Sequence, residues 1–120
     1  MFLFEKCLFD ELTKIRLEYN FYLSWEIIDK DYIWKNDCYL YKILDNKQNV
    51  IALLYYDVDD YMNINKFEVL EEYRNKGIGT KIMQQFFQQF EIEVDKIRLE
   101  PASEEACSFW NKLGINCVFI

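Results

Sequence analysis

Val69-Leu70-Glu71-Glu72-Tyr73-Arg74-Asn75-Lys76-Gly77-Ile78-Gly79-Thr80-Lys81-Ile82-Met83 carries the chain from one kind of periodicity into another. Before it, Tyr61 to Leu70 alternates imperfectly, as a strand does. After it, Ile78, Ile82, Met83, Phe86, Phe87 and Phe90 recur at helical spacing, so a helix opens right after Gly77. Average usage would supply roughly eight glycines in a chain of this length. This one has three, and two of them stand at the junction. A missing Cβ at a helix start lets backbone N–H groups face an anion closely. The first turn of any helix leaves four such groups without a partner, and the helix dipole adds attraction. Arg74 and Lys76 supply cations beside it. A plain tight turn would also explain the two glycines.

Two other glycine motifs fit poorly. A P-loop needs G-x-x-x-x-G-K-[ST], and Gly79-Thr80-Lys81 has the wrong order. A dinucleotide fingerprint needs a third glycine where this chain has Ile82, and a parallel rather than antiparallel lead-in.

Working outward, Lys96 to Glu100 reads as a short strand ended by Pro101, which completes a β-α-β unit with two parallel strands. Ser103 to Leu113 reads as a helix with acids in its first turn and Gly114 past its end. Asn116 to Ile120 reads as a last strand. Upstream, Cys38–Leu44, Val50–Val58 and Tyr61–Leu70 are joined by polar turns, which predicts an antiparallel meander. Phe4, Leu8, Leu12, Ile15 and Tyr19 make one stripe, which predicts an N-terminal helix. Ser24 to Ile28 predicts a short second helix capped by Ser24. The fold class is therefore α+β: a mixed, mainly antiparallel sheet with a central β-α-β unit flanked by helices.

With 120 residues, just over half of them apolar, the chain builds one domain over residues 1–120. No run of 18 apolar residues marks a membrane span, and Met1-Phe2-Leu3-Phe4 is too short for a signal peptide, so the reading is cytoplasmic. A net charge of −7 argues against nucleic acid as a partner and suits a cationic one such as an amine. Solubility alone would also account for it. Cys7, Cys38, Cys107 and Cys117 include no C-x-x-C pair, so we expect four free thiols and no metal. The chain has no histidine, which removes Ser-His-Asp triads, H-E-x-x-H zinc sites and imidazole bases together.

The quoted stretch resembles the acetyl-CoA motif of the GNAT N-acetyltransferase superfamily: a strand ending in Val, then R/Q-x-x-G-x-G/A, then an apolar helix. Ser103-Glu104-Glu105-Ala106-Cys107-Ser108-Phe109-Trp110-Asn111-Lys112-Leu113-Gly114-Ile115 resembles its later motif N-x-x-A-x-x-F-Y-x-K-L-G-F. The resemblance covers roughly Tyr39 to Ile120. It implies a GNAT-type acyltransferase that passes the acetyl group of acetyl-CoA to a small-molecule or peptide amine. The cofactor-binding residues it implies are Phe67, Val69, Arg74, Lys76, Gly77, Ile78, Gly79, Thr80, Ser103 and Trp110. Backbone N–H groups of Arg74, Lys76, Gly77, Ile78, Gly79 and Thr80 would hold the pyrophosphate, and the strand at Phe67 to Val69 would pair with the pantetheine arm.

Two departures matter. Ser103 stands where the family often has Asn, and Trp110 where it has a Tyr that commonly protonates the leaving thiolate. An indole offers only an N–H donor and cannot do this. These departures keep open a catalytically impaired CoA-binding or protein-interaction module of the same fold. For the base, Glu68 on the motif strand is the first candidate, with Asp57, Asp59 and Asp60 behind it. Asn65 would act only by orienting water. The N-terminal helix is expected to replace the family's first strand. The apolar run Cys117-Val118-Phe119-Ile120 is expected to leave an open sheet edge, and hence a homodimer.

Overall fold

The computed structural model describes residues 1–23, 25 and 37–118. Five strands form one sheet in the order β1-β2-β3-β4-β5. They are β1 (Leu3–Lys6), β2 (Cys38–Leu44), β3 (Val50–Val58), β4 (Met62–Val69) and β5 (Ile97–Leu99), and the helices are α1 (Phe9–Glu18), α2 (Ile78–Gln89) and α3 (Glu104–Lys112). β1 to β4 pair antiparallel, with Phe4 opposite Ile43 and Leu54 opposite Phe67. β5 lies parallel to β4, reached through α2. The expected meander and β-α-β unit are both present.

The sheet is covered on both faces, which is why β3 is apolar almost throughout rather than alternating. On one face Ile43, Leu54, Tyr56, Ile64 and Val69 meet Ile82, Met83, Phe86 and Phe87 of α2 and Cys107 and Trp110 of α3. On the other, Leu40, Leu44, Val50 and Leu53 meet Leu12 and Ile15 of α1, with Cys7 and Trp25. Fully burying each large aliphatic or aromatic side chain contributes about 1.5–3 kcal/mol.

The N-terminus corrects the reading of Phe4 to Tyr19 as one helix. Residues 3–6 form a strand, and α1 begins only at Phe9. Phe4 points into the sheet's aromatic layer, 5.2 Å from the Phe86 ring. Leu8, in the same sequence stripe, is 52% exposed. The i, i+4 spacing of Phe4 and Leu8 is thus a coincidence across an element boundary. The family's first strand is present and precedes the helix.

The expected last strand differs too. Asn116 to Val118 form no strand. The Cys117 N–H instead donates to Asn111 Oδ1 (2.9 Å), and its carbonyl accepts from Cys107 Sγ (2.9 Å). Side chains of α3 thus take the place of a ladder. The remainder of that run, and the helix expected over Ser24 to Ile28 apart from Trp25, lie outside the described residues. None of the four cysteines is in a disulfide, and all four are buried.

Candidate functional site: a groove along the open edge of a central strand

β4 is paired with β3 along its length, but β5 covers only Met62, Asn63 and Ile64 of its other edge. Among the described residues no strand pairs that edge from Asn65 to Val69. The Leu70 N–H donates to Ile51 O of β3 (2.9 Å), and Val69 O accepts from Arg74 Nε (2.7 Å) on the opposite side. Alternation then directs the N–H groups of Phe67 and Val69 to the open edge. A bulge in the β3–β4 register leaves Asn65 as the extra residue at the point where β5 stops.

At the end of this edge lies a groove of about 440 Å³ lined by Phe67, Val69, Arg74, Asn75, Gly77, Ile78, Gly79, Thr80, Phe109 and Lys112. The start of α2 forms its floor. Gly77 is the N-cap, with φ of +72° and no side-chain cap, and the first turn carries no acid. The helix's first backbone bond is Lys81 N–H to Gly77 O (3.1 Å), so the N–H groups of Ile78, Gly79 and Thr80 have no helical partner. An uncapped helix start beside Arg74 and Lys112 has the polarity that suits an anion.

The two glycines serve for different reasons. Gly77 needs its left-handed backbone, and nothing lies within 4 Å of where its Cβ would be. Gly79 needs room: an added Cβ would meet Phe109 Cε1 at 3.2 Å.

Of the residues expected from sequence, Phe67, Val69, Arg74, Gly77, Ile78, Gly79 and Thr80 line the groove. The Arg74 N–H, expected to face the pyrophosphate, instead donates to Glu71 O (3.1 Å), and its guanidinium donates to Val69 O and Glu68. Lys76 is exposed on the loop outside the lining. Ser103 caps α3, accepting from Ala106 N–H at 3.1 Å. Trp110 is buried in the core, its ring 5.9 Å from Phe67. Sequence reasoning missed Asn75, Phe109 and Lys112. The F-W-N-K run held the signal for the last two, because residues three apart share a helix face.

Glu68 points to the opposite face of the sheet. It is the one buried charged or polar side chain among the described residues, 5% exposed. Its Oε1 accepts from Leu23 N–H (2.9 Å) and Trp25 Nε1 (2.9 Å). Its Oε2 accepts from Tyr22 N–H (2.6 Å) and Arg74 Nη2 (3.2 Å).

A second cavity, of about 720 Å³, opens where β4 and β5 stop pairing. It is lined by Asp57, Asn63, Ile64, Asn65, Ile97, Arg98, Leu99, Glu100 and Asn116. Asp57 holds it together, accepting from Asn63 Nδ2 and Asn65 Nδ2, both at 2.8 Å. Arg98 stacks on the Tyr61 ring, 3.5 Å from its centroid. The two cavities share β4 as a common wall.

Known proteins share this fold. Solved structures of similar fold include a spermidine N-acetyltransferase chimera from Vibrio cholerae and hSSAT, 14% identical with a TM-score of 0.69, covering 93% of this chain and 78% of that one. The ribosomal-protein-S18-alanine N-acetyltransferase of Escherichia coli is 14% identical with a TM-score of 0.63, covering 95% and 77%. An acetyltransferase of Bacillus anthracis strain Ames, solved in complex with acetyl coenzyme A, is 19% identical with a TM-score of 0.65, covering 94% and 83%. No curated protein matches the chain by sequence. The Acetyltransferase (GNAT) family model matches residues 6–115, and the chain belongs to that family.

Proposed function

We propose that this protein transfers the acetyl group of acetyl-CoA to a primary amine by direct attack within a ternary complex. The observation that carries the reading is the continuity of an uncapped helix start with the open edge of β4. The N–H groups of Ile78, Gly79 and Thr80 hold the pyrophosphate, helped by Lys112. The Phe67 and Val69 edge takes the pantetheine arm as an added strand, which brings the thioester toward the Asn65 bulge. An N–H aimed at the thioester oxygen there stabilises the charge that develops on it.

The amine approaches from the second cavity. An alkylamine of pKa about 10 arrives protonated at neutral pH. Glu68 already accepts four hydrogen bonds, so removal of that proton falls to Asp57, directly or through water. The amine nitrogen then bonds to the carbonyl carbon and the carbon–sulfur bond breaks. The departing thiolate takes its proton from solvent, which a thiol pKa of about 8.5 permits without a dedicated acid. Acceptors among the similar proteins include a polyamine and an alanine of a ribosomal protein, as their names state.

The second reading is a CoA-binding module without transfer activity. It is favoured by the buried indole of Trp110 where the family often has a Tyr. One assay separates the two: acetyl-CoA affinity by calorimetry, with CoA release measured over polyamines, peptides and antibiotic amines. Binding with turnover of one acceptor class is expected. Binding with no turnover supports the second reading, and no binding of either CoA species overturns both.

A further inference from the structure

Glu68 links two parts of the molecule that are distant in sequence. On one side stands Arg74, in the loop that opens the cofactor groove. On the other stands the segment from Tyr22 to Trp25, which follows α1. Glu68 accepts two backbone N–H groups and the indole N–H from that segment, and the Arg74 guanidinium closes the set. Arg74 is fixed at its other end as well, through Nε to Val69 O. A second set of contacts repeats the connection outside the core. Tyr22 Oη donates to Glu71 Oε2 (2.8 Å), and the Arg74 guanidinium lies 5.6 Å from the Tyr22 ring centroid.

A buried carboxylate is costly unless its oxygens are satisfied, and removing one partner strands the others. The four donors and Glu68 therefore form and break together. We propose that Glu68 is a positioning residue that couples the cofactor loop to Tyr22, Leu23 and Trp25, so that acetyl-CoA binding and the hydrogen bonds of these residues to Glu68 support one another. Coupling of this kind is reciprocal: what the cofactor does to the segment, the segment does to cofactor affinity. The inference rests on the acetyl-CoA reading above.

The test uses the full chain with free CoA and acetyl-CoA. Amide hydrogen exchange of the wild type is followed at Tyr22 and Leu23, whose N–H groups Glu68 accepts. Exchange should slow at both when CoA is added, although neither residue lines the groove. Calorimetry on Glu68→Gln, Arg74→Met and the double variant gives the second reading. Glu68→Gln should weaken CoA binding about tenfold, and the double variant should bind no worse than Arg74→Met alone. Circular dichroism checks that each variant is folded, and the wild-type exchange experiment stands if one is not. Unchanged exchange at Tyr22 and Leu23 in a wild type that binds CoA overturns the coupling and leaves the acetyl-CoA reading intact. So does a folded Glu68→Gln that binds CoA like the wild type but loses turnover, which would make Glu68 a catalytic base. A wild type that binds no CoA removes both.

Discussion

Gly79 and Phe109 approach so closely that a Cβ on the glycine would lie 3.2 Å from the ring's Cε1, with Val69 Cγ2 at 3.6 Å. The start of α2 is thus pressed against α3 across the groove. Gly79→Val should destabilise the fold by about 1–3 kcal/mol through overpacking. Gly79→Ala should do less, and Phe109→Ala should relieve part of the Gly79→Val penalty. Gly77 has open space but a φ of +72°. Gly77→Asn should therefore be tolerated and Gly77→Val should cost about 1–2 kcal/mol. Urea unfolding of these variants, with Phe109→Ala made alone and together with Gly79→Val, measures this, and a Gly79→Val as stable as the wild type would show that the ring moves freely.

Lys112 lines the groove at the start of α2 from α3. Lys112→Ala should weaken acetyl-CoA binding about fivefold at low salt, as loss of an exposed charge contact does. The difference should shrink at high salt. Titrations at two ionic strengths check it, and equal affinity in both proteins would remove Lys112 from the site.

Trp110 packs against Phe67 and Phe109, at ring separations of 5.9 and 4.8 Å. Trp110→Phe should cost about 1–2 kcal/mol of stability through lost volume and lower acetyl transfer less than about tenfold. A thousandfold loss with unchanged stability and CoA affinity would give the indole a direct part in the chemistry.

Burial pushes the Cys7 thiol up to about 12, with the Glu11 carboxylate adding to the effect. In the unfolded chain a cysteine titrates near 8.5. The fold disfavours the thiolate, so this contribution is whole below about pH 8.5 and is lost as pH rises toward 12. Stability in urea should fall between pH 9 and 11, and less steeply in Cys7→Ala. Thiol reagents at pH 8 should reach Cys7 only on unfolding. Fast labelling of the folded protein would contradict the burial argument.

Among the described residues β5 has a neighbour on one side only, in the order β1-β2-β3-β4-β5. An edge strand without a cover invites a second chain. We expect a homodimer joined at this edge. Light scattering at tens of micromolar decides the matter, and a monomeric wild type would count against it.

The sequence by itself determined the order of β2, β3, β4, α2, β5 and α3, because each element carries its own period and its own ending. Pro101 and Gly114 close β5 and α3 through backbone chemistry that needs no partner. The glycine loop was legible for the same reason: Gly77 and Gly79 are local solutions to a local backbone problem. The tertiary structure decided what depends on contacts distant in sequence. β1 is a strand because β2 offers it a ladder, although its apolar spacing runs on into α1. Gly79 is constrained by Phe109, 30 positions away. Glu68 reads from sequence as a carboxylate on the motif strand, free to take a proton. Only the fold brings Tyr22, Leu23, Trp25 and Arg74 to it, because hydrogen bonding is a matter of distance, and periodicity carries no record of which distant donors arrive.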